Sequence, residues 1–233
     1  MKTNILNTAF FLFSLLTFTP TIFAQNNCSK FYPTKIGKTL IIHQFDKRDK
    51  LATITSYTVK DVAQDENGTI LTIAMRLIDG KDEEELTNVE FKAICTGNTT
   101  KIDPESLLAP GIFDQYKNMD YSITGNGLSI PNELHVGENL ADGDVTMAID
   151  TGIMKINATI LMTNRKVQAK EKITVPAGMF DCYKITSTNS FKMGMTQTNL
   201  TTQWIAEGIG MVQEETRKPN GRLVSRSILH HME

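Results

Sequence analysis

The chain has 233 residues, 40% hydrophobic and 21% charged, with 24 basic against 26 acidic side chains and a formal net charge of −2. That length suits one all-β domain with enough chain to bury a core without a structural metal. No basic run or stripe breaks the near-balanced charge, which excludes nucleic acid and anionic membrane surfaces as favoured partners.

The first element is a targeting segment. Lys2 precedes the apolar run Ala9–Phe18, Pro20 interrupts it, and Ile22-Phe23-Ala24 ends on the small residue a signal peptidase needs. A charged start, an apolar stretch of roughly 7–15 residues and a small-residue exit describe a secretory signal peptide. A membrane anchor needs about 18 or more uninterrupted apolar residues. The expected organisation is a signal peptide at 1–24 and a single β domain at 25–233. Export to the periplasm or beyond is expected, with no membrane-spanning segment after cleavage.

Three cysteines follow: Cys28, Cys95 and Cys182. An oxidising compartment permits one disulfide and leaves one odd thiol, with three pairings open. The pairing favoured is Cys28 with Cys95, because Cys28 lies in a loose start and Cys95 ends a strand beside Thr96-Gly97. Cys182 sits within a strand and reads as a small buried hydrophobe. Gln25-Asn26-Asn27 lack the small residues that precede a lipid-modified cysteine, which argues against anchoring through Cys28.

Turn chemistry then punctuates the chain at short intervals. Asp46–Lys50 separates two strand-like runs, and Asp65-Glu66-Asn67-Gly68 carries the Asn-Gly pair, among the strongest short hairpin signals. Further breaks fall at Gly80, Thr96-Gly97-Asn98, Gly125-Asn126-Gly127, Pro176-Ala177-Gly178, Gly208-Ile209-Gly210 and Pro219-Asn220-Gly221. Period-two alternation puts Leu71, Ile73, Met75 and Leu77 on one face, and Ile156, Ala158, Ile160 and Met162 on another. The run Thr196–Thr202 alternates with little apolar content on either face. Asp103-Pro104-Glu105 starts a short helix, and one or two short helices are expected around 104–119. The fold class is all-β, an antiparallel meander curled into a barrel or a two-sheet sandwich.

Chemistry-bearing constellations are sparse. The four histidines are His43, His135, His230 and His231, and none stands at metal-ligand spacing. Adjacent strand residues His230 and His231 are expected on opposite faces. There is no Gly-x-Ser-x-Gly motif, so a hydrolase would need a scattered Ser/His/Asp set with His43 or His135 as its base. Asp142-Gly143-Asp144 reads as a turn lacking the further acids of a calcium loop. Trp204 reads as a core plug. The eleven methionines suit ordinary core filling or the lining of an apolar ligand cavity.

Three pieces together carry a resemblance: Cys28–Pro33 followed by Ile36–Thr39, Thr174–Ile185, and Trp204 with Gly208–Val212. Their order resembles the TapB-like exported proteins of Bacteroides-type bacteria, distant relatives of a periplasmic domain of unknown function. The resemblance implies an antiparallel β fold in the bacterial envelope, no catalytic residues to carry over, and association with other proteins. The expected function is a non-catalytic envelope protein that binds a protein partner or an apolar, lipid-like small molecule. No catalytic residue, cofactor or metal is assigned, and a hydrolase with a scattered site is the alternative.

Overall fold

The computed structural model describes residues 30–66, 68–107 and 119–233. Residues 1–24, Cys28 and the second expected helix lie outside that range. Twelve strands are described: β1 (Thr39–Asp46), β2 (Leu51–Asp65), β3 (Gly68–Asp79), β4 (Glu85–Thr96), β5 (Thr99–Ile102), β6 (Asp120–Pro131), β7 (Gly143–Asp150), β8 (Lys155–Val175), β9 (Gly178–Met193), β10 (Met195–Ala206), β11 (Gly210–Arg217) and β12 (Leu223–Met232). Each pairs antiparallel with its sequence neighbours, and β1 pairs with β12, so the meander closes into a barrel. Closure decides between the two expected architectures and removes the exposed edges an open sheet would keep.

The hairpins form where short polar residues satisfy the turning backbone. Asp46 Oδ1 accepts from the amides of Arg48 and Lys50 at 2.7 and 3.0 Å, closing the β1–β2 turn. Asp65 Oδ1 accepts from Gly68 N at 3.0 Å at the next turn. Between 104 and 107 the expected helix is a single 3-10 turn, Pro104–Leu107. There the Asp103 backbone carbonyl, rather than its side chain, accepts from Ser106 N and Ser106 Oγ.

Alternation sets the two surfaces of the barrel. On β3, Leu71 and Ile73 are buried while Arg76 is exposed, and on β8 Val167 is buried between exposed Lys166 and Gln168. On these two strands apolar side chains point inwards and charged ones outwards, the reverse of the alternation of a lipid-facing barrel. Among the described residues no helix is long and apolar enough to cross a membrane. β10 departs from the rule: Thr201 is buried and Leu200 is exposed. Its inward face carries Thr201 and Gln203 before Ile205, with Asn189 Nδ2 of β9 donating to Thr201 Oγ1 at 3.0 Å.

Two irregularities shape the walls. Register slips between Thr163 and Lys166 on β8, with Asn164 at φ 53°, and the bulge places Arg165 where only 4% of its surface is exposed. Its Nη1 donates to the carbonyls of Ser129 and Ala141, so one guanidinium ties β6 and the segment before β7 to β8. On β6 a second slip ends at Gly127, φ 67°, where an added Cβ would stand 2.1 Å from the Ile102 carbonyl oxygen. Only glycine permits that approach.

The core has two main centres. One joins Leu40, Ile42, Val175, Cys182, Trp204 and Val212 where the long β8–β9 hairpin reaches β11 and β12. The other gathers Ile130, Val167, Ile185 and Ile205 around Phe31, which enters from the segment before β1 and meets Tyr183 edge-on at 5.9 Å.

Candidate functional site

Inside the barrel lies a partly open cavity of about 500 Å³, within the range typical of small-molecule sites. Its two sides differ. The wall from β3, β4 and the far half of β2 is apolar, with Val59, Ile73, Met75, Leu77 and Phe91, while Thr53 and Thr55 line it from the near half of β2. Facing it is a polar row built by register alone. Thr53 pairs with Gln44, Gln44 with Ser227, Ser227 with Glu214, and Glu214 with Gln203. Directly paired antiparallel residues share a face, so five adjacent strands present one polar arc, and every member lines the cavity.

Within the arc, Thr53 Oγ1 donates to Gln44 Oε1 at 3.2 Å and Gln203 Nε2 donates to Glu214 Oε2 at 2.6 Å. Burial pushes the Glu214 carboxyl above its ordinary range, and the Gln203 hydrogen bond partly opposes that shift. Tyr57 sits between the two walls, edge-on to Phe91 at 6.2 Å. Burial, with the Glu214 charge adding to it, pushes its hydroxyl up to about 12. Among the described residues no Lys, Arg or His lines the cavity.

Phe31, Tyr32 and Pro33 close one end of the cavity. Asn132 fixes their approach: its Oδ1 accepts from Lys30 N at 3.2 Å and from Thr100 Oγ1 at 3.4 Å. Its Nδ2 reaches the buried Cys95 sulfur at 3.8 Å. A larger, open crevice of about 1550 Å³ lies where residues 30–38 cross the barrel end. Its lining mixes polar and apolar surface, whereas the barrel cavity sets an apolar wall against a buried carboxyl.

The residues singled out in the sequence fall elsewhere. His43 is on the outer face of β1, its ring stacked on His230 with centroids 3.8 Å apart and planes 8° from parallel. His135 is in a loop, its side chain 78% exposed, 3.7 Å from Glu138. Neither lines the cavity, so the two mid-chain bases of the hydrolase alternative do not meet there. His230 and His231 do not divide between faces. A slip in the β1–β12 register sets Leu229 opposite Ile42 and His231 opposite Ile41, leaves His230 as the extra residue, and exposes both imidazoles. Gly143 and Asp144 open β7 instead of forming a turn, and Asp144 Oδ1 accepts from Asn126 N and Nδ2. Cys182 is free and buried, its thiol pushed up to about 11 first by burial. Cys28, the partner expected for Cys95, lies outside the described residues. Trp204 is a core residue, with Nε1 donating to Glu171 and Lys184 over its ring at 5.4 Å.

The methionines divide: Met75 and Met211 line the cavity, Met147 is in the core, and Met154, Met179 and Met195 are exposed. Sequence reasoning missed Gln44, Gln203, Glu214 and Ser227. Each is one polar residue in a strand, and only register collects them.

A family model matches residues 35–229. The chain belongs to the DUF3108-like family. Two crystal structures share its fold. One is of a protein from Bacteroides fragilis NCTC 9343 described as exported and YmcC-like in fold, 21% identical, with a TM-score of 0.72 over 88% of this chain and 100% of that one. The other is of a protein from Parabacteroides distasonis ATCC 8503 described as a lipoprotein, 21% identical, with a TM-score of 0.73 over 89% of this chain and 100% of that one. No curated protein matches the chain. The match supports the resemblance at the level of the family, which is coarser than the TapB-like group. The pieces that carried the resemblance are packing elements: Val175 and Cys182 meet Trp204 and Val212 in one cluster, and Phe31 meets Ile185 in the other.

Proposed function

We propose that this chain is an exported envelope protein that holds an apolar small molecule inside its barrel. The observation that carries the reading is the 500 Å³ cavity with one apolar wall and one polar arc. A core serving stability alone gains nothing from an unfilled space bordered by a buried carboxyl, since both cost free energy. Export is supported by the Lys2–Ala24 signal pattern and by two fold relatives described as exported and as a lipoprotein. An oxidised Cys28–Cys95 bridge belongs to the same reading, because Cys182 is free and buried while Cys95 sits beside the entering N-terminal segment.

Binding of N-phenyl-1-naphthylamine, a neutral apolar fluorophore, tests the cavity. The protein should bind it with one-to-one stoichiometry. Met75→Trp, or the milder Leu77→Phe, should abolish or weaken binding with the circular dichroism spectrum unchanged. Absence of binding, or binding indifferent to both fillers, overturns the reading. Mass spectrometry of the exported protein under non-reducing conditions tests the Ala24 cleavage and the bridge together.

A second reading, association with an envelope protein, is favoured by Ile153 and Met195, which stand 95% and 83% exposed at hairpin turns. Crosslinking in cells tests it, and recovery only as free monomer counts against it.

A further inference from the structure

The geometry points to a ligand with a single apolar tail and an uncharged, hydroxyl-bearing head, the head lying against the Gln44–Ser227–Glu214–Gln203 arc. This rests on the cavity reading and adds the class of molecule.

Three observations narrow the class. The first is size. About 500 Å³ matches one drug-sized occupant, which suits a one-chain amphiphile better than a two-chain lipid.

The second is charge. The ionisable groups at the cavity wall are Glu214, Tyr57 and Tyr32, and among the described residues no cation lines it. Arg165 acts on Tyr32 from behind the wall while bound to the Ser129 and Ala141 carbonyls. At the arc itself a carboxylate or phosphate head would meet no lining cation and would face an acid. A cationic head would require Glu214 to ionise there with Gln203 as its donor, at a large desolvation cost. A neutral head requires neither.

The third is the hydrogen-bonding inventory. Thr53 spends its donor on Gln44 Oε1, and Gln203 donates to one oxygen of Glu214. The Gln44 amide nitrogen, the Ser227 hydroxyl and the second Glu214 oxygen supply both donors and acceptors along one row. Such a mixture matches hydroxyl groups, which donate and accept, better than a group restricted to one role. The apolar wall of Ile73, Met75, Leu77 and Phe91 takes the tail.

The experiment is competition against the bound fluorophore with three probes sharing one twelve-carbon tail: monolauroylglycerol, laurate and dodecylamine. At neutral pH the glycerol ester should displace the fluorophore about tenfold more tightly than either charged probe. Glu214→Gln keeps the shape and both bonding roles of the protonated acid, so it should leave the ester within about threefold and its preference over laurate in place. Equal displacement by all three, or preference for a charged probe, overturns the head-group inference and leaves the cavity reading standing. Failure of the fluorophore to bind overturns both. If Glu214→Gln fails to fold, Ser227→Ala replaces it and should weaken the ester selectively. An unchanged ester affinity in that variant also counts against the inference.

Discussion

Gln203 and Glu214 face one another across the β10–β11 ladder, amide to carboxyl at 2.6 Å, inside a barrel whose far wall is Ile73, Met75 and Leu77. Burial raises the folded-state pKa of Glu214 above its ordinary value of 4.5. The folded chain therefore keeps a proton that the unfolded chain releases. Stability should fall as pH rises from 4.5 towards the raised folded value, then level off. Glu214→Gln should flatten that part of the profile and leave the protein more stable than wild type at neutral pH. Urea midpoints measured between about pH 4 and 8 check it, and parallel profiles for the two proteins would refute it.

The His43–His230 stack sits on the outer side of the seam between the first and last strands. Ile54 of β2 and Ile228 of β12 pair with His43, and the Arg226 guanidinium lies over the nearby Phe45 ring while bound to Asp49. Burial first, then the charge of His230, lowers the His43 pKa below 6.5. The folded state binds fewer protons than the unfolded one, so stability is intact above 6.5 and declines as pH falls below it. His43→Phe should lessen that acid decline and change little at pH 8. Thermal melts at the two ends of the range decide the matter.

Arg165 supplies hydrogen bonds to two carbonyls on different segments. Arg165→Met keeps most of the packing and orphans both acceptors, at about 1–3 kcal/mol each if neither finds water. Chemical denaturation should show a loss of that order, and Arg165→Lys should recover only part of it, because one ammonium lacks the planar fork.

Gly127→Ala should destabilise the barrel by more than about 1 kcal/mol, since a positive φ is combined with a steric clash. The added methyl carbon would stand 2.1 Å from the Ile102 oxygen, so β5 or β6 must move. Gly152→Ala, at φ 78° with open space around its Cβ position, carries the backbone cost alone. It should cost less, and comparing the two midpoints separates strain from clash.

Local chemistry announced much of the fold. The alternation from Leu71 to Leu77 names an inward face that the structure keeps, and Asp65 and Asp46 sit at turns their side chains close. Barrel closure was not legible, because it depends on β1 meeting β12, whose pairing no local pattern encodes. β10 misleads for a related reason: Thr201 faces inwards through pairing with its neighbours, while period two alone reads polar residues as wet. The candidate site was invisible for the same cause. Gln44, Gln203, Glu214 and Ser227 belong to four strands, and their alignment exists only once register is fixed.

The meander also dictates an order of events during folding. Each hairpin from β1–β2 to β11–β12 can zip early, because its partner is adjacent in sequence. β1 is the exception on its other side, where its hydrogen-bonding edge waits for β12 at the opposite end of the meander. Until β12 docks, that edge is open to other chains. Closure of the β1–β12 seam is therefore the step at which the chain stops being a template for aggregation.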